Sequence, residues 1–210
     1  METSPAQRRP GWRAIAATVL LGWLMALSPL GNPLSRMSFD LLQVLLPSHG
    51  TNAPVIIYMD EQAMQDYGQR PREWDRSLHA GLLDRLTLDQ PRVVVFDVIF
   101  SQTNQSHADQ DLARALRENG RVVLAGDRVP GPGGGYTLVP PLELFETNAA
   151  AWGTAKIHRD GDLAVRRYDD GDDQRAGLAW AAAEVAGAKV TESPDRRLGE
   201  SRWLNYYGSG

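Results

Sequence analysis

Between Arg13 and Arg36 the chain carries no formal charge for 22 consecutive residues, most of them apolar. A helix of that length rises to roughly 33 Å at about 1.5 Å per residue, enough to cross a bilayer core. The densest part is Ala14-Ile15-Ala16-Ala17-Thr18-Val19-Leu20-Leu21-Gly22-Trp23-Leu24-Met25-Ala26-Leu27. Pro29, Gly31 and Pro33 cluster where such a helix must stop. The stretch reads as one N-terminal transmembrane helix over residues 14–34, with a tail over 1–13 and a single domain over 35–210. Two other uses stay open at this level. A cleaved signal peptide would use the small residues of Ala26-Leu27-Ser28, although Pro29 would follow the cut, and a soluble protein would bury the helix.

The flanks orient the segment. Arg8, Arg9 and Arg13 precede it, with Glu2 as the only acid there. An excess of basic residues marks the cytoplasmic side, so the tail is expected inside and the main domain outside an inner cell membrane, periplasmic or extracellular. Trp12 is placed for an interfacial anchor.

Composition then removes several function classes. The net charge is -4, and beyond residue 34 there are 19 basic against 25 acidic residues. That balance provides no basic face for nucleic acid or for an anionic lipid surface. With no cysteine in the chain, disulfides and thiolate metal sites are excluded. The length beyond the apolar stretch suits one hydrophobic core.

Along that domain the pattern alternates. Residues 54–60 (Pro54-Val55-Ile56-Ile57-Tyr58-Met59-Asp60) read as a short buried strand. Asp60 suits the N-cap of a helix over 61–67, and Gly68 its end. Asp75 suits the cap of a second helix with Leu78, Leu82, Leu83 and Leu86 as its inward stripe. Residues 92–100 form a near-continuous apolar run, which predicts a strand covered on both faces, as in a parallel sheet. Ser106 with Asp109 resembles a capping arrangement for a helix over 108–119, with Leu112 and Leu116 inward and Gly120 as the stop. Residues 122–125 follow as a third strand. Strand, helix, strand, helix, strand predicts an α/β fold with a mixed, mainly parallel sheet flanked by helices.

The remaining third changes texture. Residues 130–135 (Pro130-Gly131-Pro132-Gly133-Gly134-Gly135) read as a plain loop, since no Gly-Lys-Ser/Thr ending makes them a phosphate loop. A short helix is expected over 141–147. Asp160-Gly161 between residues 153–158 and 163–168 is a hairpin signal. Residues 177–186 form an Ala-rich helix stopped by Gly187, and residues 203–207 a last strand.

Chemistry-bearing residues are sparse. Asp60 and Asp127 close apolar runs and Asp97 lies within one. Paired carboxylates beyond strand ends can hold Mg²⁺ for phosphoryl chemistry, while an Asp at a helix start also serves as a cap worth about 1 kcal/mol. Asp60-Glu61-Gln62 departs from the D-x-D arrangement of aspartyl-nucleophile phosphatases. His49, His79, His107 and His158 show no metal-binding spacing, and each reads as solvent-facing or capping. No Gly-x-Ser-x-Gly elbow is present. Arg166 can clamp an anionic ligand, or pair with Asp160 or Asp162 across the hairpin. Trp74, between Arg72 and Arg76, can line a ligand cleft or plug the core. The candidate ligand-binding residues are therefore Asp60, Trp74, Asp97 and Arg166; no catalytic residue, metal ligand or cofactor site is assigned.

An ordered set of short motifs runs through the chain. It comprises Ser38-Phe39-Asp40-Leu41-Leu42, Asp60-Glu61, Gly68 and Pro71, and Trp74-Asp75-Arg76-Ser77-Leu78-His79-Ala80. It continues through Val95-Phe96-Asp97-Val98-Ile99-Phe100-Ser101, Asp109 and Asp111 before Leu112-Ala113, and Val122-Val123-Leu124-Ala125. Asp160-Gly161-Asp162-Leu163 before Val165-Arg166-Arg167, then Trp203-Leu204-Asn205-Tyr206-Tyr207-Gly208, complete it. In this order the motifs resemble the second-type CHASE domain over about residues 35–210, with a departure where Arg70-Pro71-Arg72-Glu73-Trp74 replaces a repeated Trp-Pro.

The resemblance implies an extracytoplasmic sensory input domain of a bacterial transmembrane receptor. Its conformational change would pass to a cytoplasmic cyclase or kinase output outside this chain. It also implies a small-molecule ligand, a membrane, a homodimer in the full receptor and no nucleic acid as partners. More sheet and returning membrane helices would follow Gly210, so the domain is expected to be incomplete at that end. Two other readings remain: a membrane-anchored metal-dependent hydrolase using Asp60, Asp97 and Asp127, and a non-signalling anchored scaffold.

Overall fold

Pro29 divides the uncharged stretch. In the computed structural model, which describes residues 11–46, 54–69, 74–168, 170–193, 195, 197 and 202–206, helix α1 spans Trp12–Leu27 and helix α2 spans Gly31–Leu45. Proline disfavours the helical region for the residue before it, and Ser28 is accordingly extended at φ -80 and ψ 161. Its hydroxyl donates to the Met25 carbonyl and accepts from the Leu30 amide, closing the corner. The single span predicted over 14–34 is thereby corrected to two helices meeting at residues 28–30. Among the described residues no helix is long and apolar enough to cross a membrane. The side chains described in α1 are all exposed, with Ile15, Leu20, Leu21, Leu24 and Met25 distributed around the helix. Both helices belong to a unit made of residues 1–55 and 205–210, in which Phe39 meets Tyr206 edge-on.

The second unit, residues 56–204, is α/β. Helix α3 (Glu61–Tyr67) starts where the Asp60 carboxylate accepts from the Ala63 amide and stops at left-handed Gly68. Helix α4 (Arg76–Asp89) is capped by Asp75, strand β1 covers Val94–Ile99 and helix α5 covers Ser106–Asn119. Strand β2 (Val122–Pro130), strand β3 (Tyr136–Val139), helix α6 (Glu143–Glu146), strand β4 (Ala151–Thr154) and helix α7 (Leu178–Val185) follow. β2 is the hub: it pairs in parallel with β1 and β4 and antiparallel with β3. The expected mixed, mainly parallel sheet is therefore present, and residues 131–135 turn the β2–β3 hairpin around a 3-10 turn.

Alternation along the strands sorts the core. Phe96, Val122, Leu124 and Trp152 join Leu83, Leu112, Leu116 and Phe145 in one cluster between the sheet and helices α4, α5 and α6. Val123 and Ala125 point the other way and are equally closed from solvent, where α7 packs against β2 and β4. Truncating a fully buried side chain such as Leu112 to alanine costs about 2–5 kcal/mol.

Several local expectations are revised. Residues 54–60 form no strand: Val55, Ile56, Ile57 and Tyr58 are exposed, because β-branched composition supplies a preference while tertiary pairing decides. β1 is covered on one face only: Phe96 packs against side chains of α4 and α5, while Val95, Asp97 and Ile99 on the other face are exposed, where α7 lies against β2 and β4. The buried stripe of α4 is Arg76, His79, Ala80 and Leu83, so only Leu83 of the expected leucines is fully inward. α5 begins at Ser106 without a side-chain cap from that residue.

Asp160-Gly161 does not join two strands. It opens a turn in which the Leu163 amide donates to the Asp160 carbonyl and positive φ falls on Leu163. The last strand reduces to a single bridge between Arg167 and Trp203. Tyr207, Gly208, His49 and residues 70–73, including Pro71 and Arg72, lie outside the described residues.

Candidate functional site

The start of α4 gathers charge and aromatic surface at the carboxyl end of β1. Trp74 Nε1 donates to the Gln69 carbonyl, and the Gln69 side chain accepts from the Asp75 amide, fixing the approach to the helix. Asp75 then accepts from the Ser77 amide, which lowers its pKa. This leaves Arg76 on the inner face, where its Nη1 lies 2.5 Å from Asp109 Oδ1. Nη2 donates to the carbonyl of Gln102, and the guanidinium stands 4.9 Å over the ring of Phe145 and 5.6 Å over that of Phe100. The second oxygen of Asp109 accepts from the Asn104 amide. One ion pair therefore ties α4, α5 and the loop leaving β1. Such a pair costs much to desolvate, and removing one partner costs about 3–5 kcal/mol.

His79 sits one turn further, stacked on Phe96 at 6.0 Å and edge-on to Phe100 and Trp74. The expectation of a solvent-facing or capping residue is corrected, because this ring is buried in the aromatic cluster. Burial lowers its pKa first, and the Arg76 charge adds to that. Tyr67 touches Trp74 from the other side.

Of the four residues singled out by sequence, Trp74 enters this cluster. Asp60 is exposed as the cap of α3. Asp97 is exposed on β1, on the strand face opposite to Phe96 and hence away from His79. Arg166 is buried elsewhere: it grips Asp160 at 2.9 Å and Asp162 at 2.8 Å. Its hydrogen bonds hold the exposed Asp162 carboxyl down to about 2. Among the described residues no group of three or more His, Asp or Glu is placed to hold a metal ion, so Asp60, Asp97 and Asp127 do not form one.

Arg76, Asp109 and His79 were not marked as site residues by sequence. A signal existed for two of them: 76, 79, 80 and 83 follow helical spacing. The leucine-rich stripe beside it outscored that face, and 33 residues separate Arg76 from Asp109.

A second arginine cluster lies at the far half of β2. Leu124, Gly126 and Arg128 share a strand face, and the Trp152 ring lies over Gly126, where a Cβ would come within 2.6 Å of it. Arg175 stands over the same indole at 3.9 Å. Asp172 Oδ2 is 3.2 Å from Arg128 Nη2, while its Oδ1 accepts from the Gln174 and Arg175 amides. Arg197 donates to the carbonyls of Asp170 and Asp172. Burial pushes the Asp172 pKa up, but those amides and the charges of Arg128 and Arg197 outweigh it and the net shift is downward.

Comparison with protein families matches the CHASE2 domain over residues 15–209. Comparisons with curated proteins and with solved structures returned no match.

Proposed function

The chain belongs to the CHASE2 domain family, a family of sensory extracytoplasmic domains, and from that premise we propose that it is the signal-sensing input of a bacterial transmembrane receptor. The single observation that carries this reading is a family match running through almost the whole chain. Residues 56–204 would take up a small molecule outside the cytoplasm and pass a conformational difference to a cyclase or kinase output. The ligand must bind two states unequally, since equal affinity shifts no equilibrium however tight it is. A homodimer is the natural carrier of such a change.

The membrane side of the proposal rests on α1. A helix that is apolar around its whole circumference has no stable place in water. Its 16 residues span about 24 Å, short of a hydrocarbon core of about 30 Å. The uncharged residues that continue to Ser35 and local thinning of the bilayer supply the difference. The basic residues before α1 put the N-terminus in the cytoplasm. Among the described residues the hydrolase alternative has no gathered carboxylates to rest on.

Fusion of alkaline phosphatase after Gly210 tests the placement, because that enzyme is active only when exported. High phosphatase activity is expected, with a matching fluorescent-protein fusion dark. The reverse pattern would overturn the extracytoplasmic reading.

A further inference from the structure

We propose that Arg128, Arg175 and Arg197 form a binding site for a small monocarboxylate, taken edge-on by the Nε and Nη2 donors of Arg128. The Arg128 side chain is 91% buried, with 9% of its surface exposed. Its Nε and Nη2 are closed from solvent and have no hydrogen-bond partner. Arg76 and Arg166, the buried arginines described above, are by contrast hydrogen-bonded to carboxylates. Buried donors left unmade call for a missing acceptor. The two unmade donors are adjacent on one edge of the guanidinium, and that parallel pair matches the two oxygens of a carboxylate.

Asp172 does not fill the role. Its Oδ2 is within ion-pair reach of Nη2 but makes no hydrogen bond there, and its Oδ1 is committed to two backbone amides. Arg175 adds a second guanidinium whose Nε is buried and unpartnered. Its stacking on Trp152 holds it in place. Charge selects the ligand class. Arg128 and Arg197 both act on the Asp172 carboxylate and Arg175 stands beside them over Trp152, so positive charge favours an anion and the parallel donor pair favours a carboxylate. Because the donor edge is closed, entry displaces the residue 170–175 loop, and that loop leads directly into α7. As a binding site the proposal stands on these contacts; as the ligand class of the sensor it rests on the function proposed above.

The test titrates the full chain in lipid nanodiscs with sodium acetate by calorimetry, against sodium chloride at matched ionic strength and sodium phosphate. Saturable acetate binding at one per chain is expected, weakened at least tenfold in Arg128→Lys, which keeps the charge and loses the paired donors. Asp172→Asn retains the Oδ1 acceptor and removes the competing charge, so it should bind acetate severalfold more tightly. No saturable acetate binding to the folded wild-type chain overturns the proposal. Phosphate binding without acetate binding, or an unchanged affinity in Arg128→Lys or Asp172→Asn, overturns it as well. Acetate binding that leaves a fused cyclase output flat keeps the site and sinks the sensing reading instead.

Discussion

Arg76 and Arg128 are both buried beside the parallel pair β1 and β2, yet their surroundings differ. Arg76 has a carboxylate, a carbonyl and two aromatic rings around it, and its carboxylate partner Asp109 is itself bonded to the Asn104 amide. Arg128 has two donors unmade and one carboxylate out of line. A satisfied buried charge fixes how elements sit, whereas an unsatisfied one marks a place where something can still be gained. The first corner is thus a fastening and the second a receptive position in the same unit.

The largest effect should come from breaking the fastening. Asp109→Ala leaves the Arg76 charge buried alone, and about 3–5 kcal/mol of unfolding free energy should be lost in urea titration. The paired replacement Arg76→Met with Asp109→Leu should recover most of that loss, because no charge is then stranded. A double variant as unstable as the single one would mean that the pair's location, not its charge balance, holds the corner.

Arg128→Met offers the contrast. It removes a group whose hydrogen bonds are unmade, so the same titration should register about 1 kcal/mol or less. A loss as large as that of Asp109→Ala would erase the distinction between the two corners.

A subtler difference concerns pH. His79 is neutral in the buried cluster, with a pKa below the ordinary 6.5. In the window between that lowered value and 6.5 the unfolded chain binds more protons. His79 therefore contributes fully above 6.5, and stability declines as pH falls through the window. His79→Phe should flatten that part of the stability profile. Equal slopes for the variant and the wild-type chain would show that the decline has another source.

The smallest effect is at Asp162. Asp162 titrates at about 2 against an ordinary 3.8, so its contribution is present above 3.8 and fades as pH falls toward 2. Carboxyl NMR on Arg166→Gln should show Asp162 returning toward 3.8. Because that carboxyl is exposed, Asp162→Asn should scarcely change global stability.

What could be read from sequence was local. Asp60 with Gly68, and Asp75 at the head of α4, work within a turn of the backbone they satisfy, so spacing reveals them. Gly120 stops α5 for the same reason, and Arg166 lies four and six residues from the acids it grips. The misreadings share another cause. Counting uncharged residues carries the span past Pro29 to residue 34, although the Pro29, Gly31 and Pro33 cluster marks the stop and α1 ends at Leu27. Val55 to Met59 look like a strand until a partner is required. Asp160-Gly161 looks like a hairpin until Arg166 draws both acids to itself. Helical spacing marks Arg76 and His79, but the pairings of Arg76 with Asp109 and of Arg128 with Asp172 depend on residues that only folding brings together.

The corner at residues 28–30 carries a mechanical consequence. An unbroken helix behaves as a shaft, so rotation at one end arrives as rotation at the other. At this corner Ser28 leaves the helical region and Pro29 can donate no amide hydrogen bond, so the shaft is interrupted. Torque applied to α2 is spent at the hinge, and what reaches α1 is a change of tilt. Pro29→Ala would let the two helices fuse and restore torsional coupling. Spin-label distances between α1 and α2 should then fall on a single straight rod.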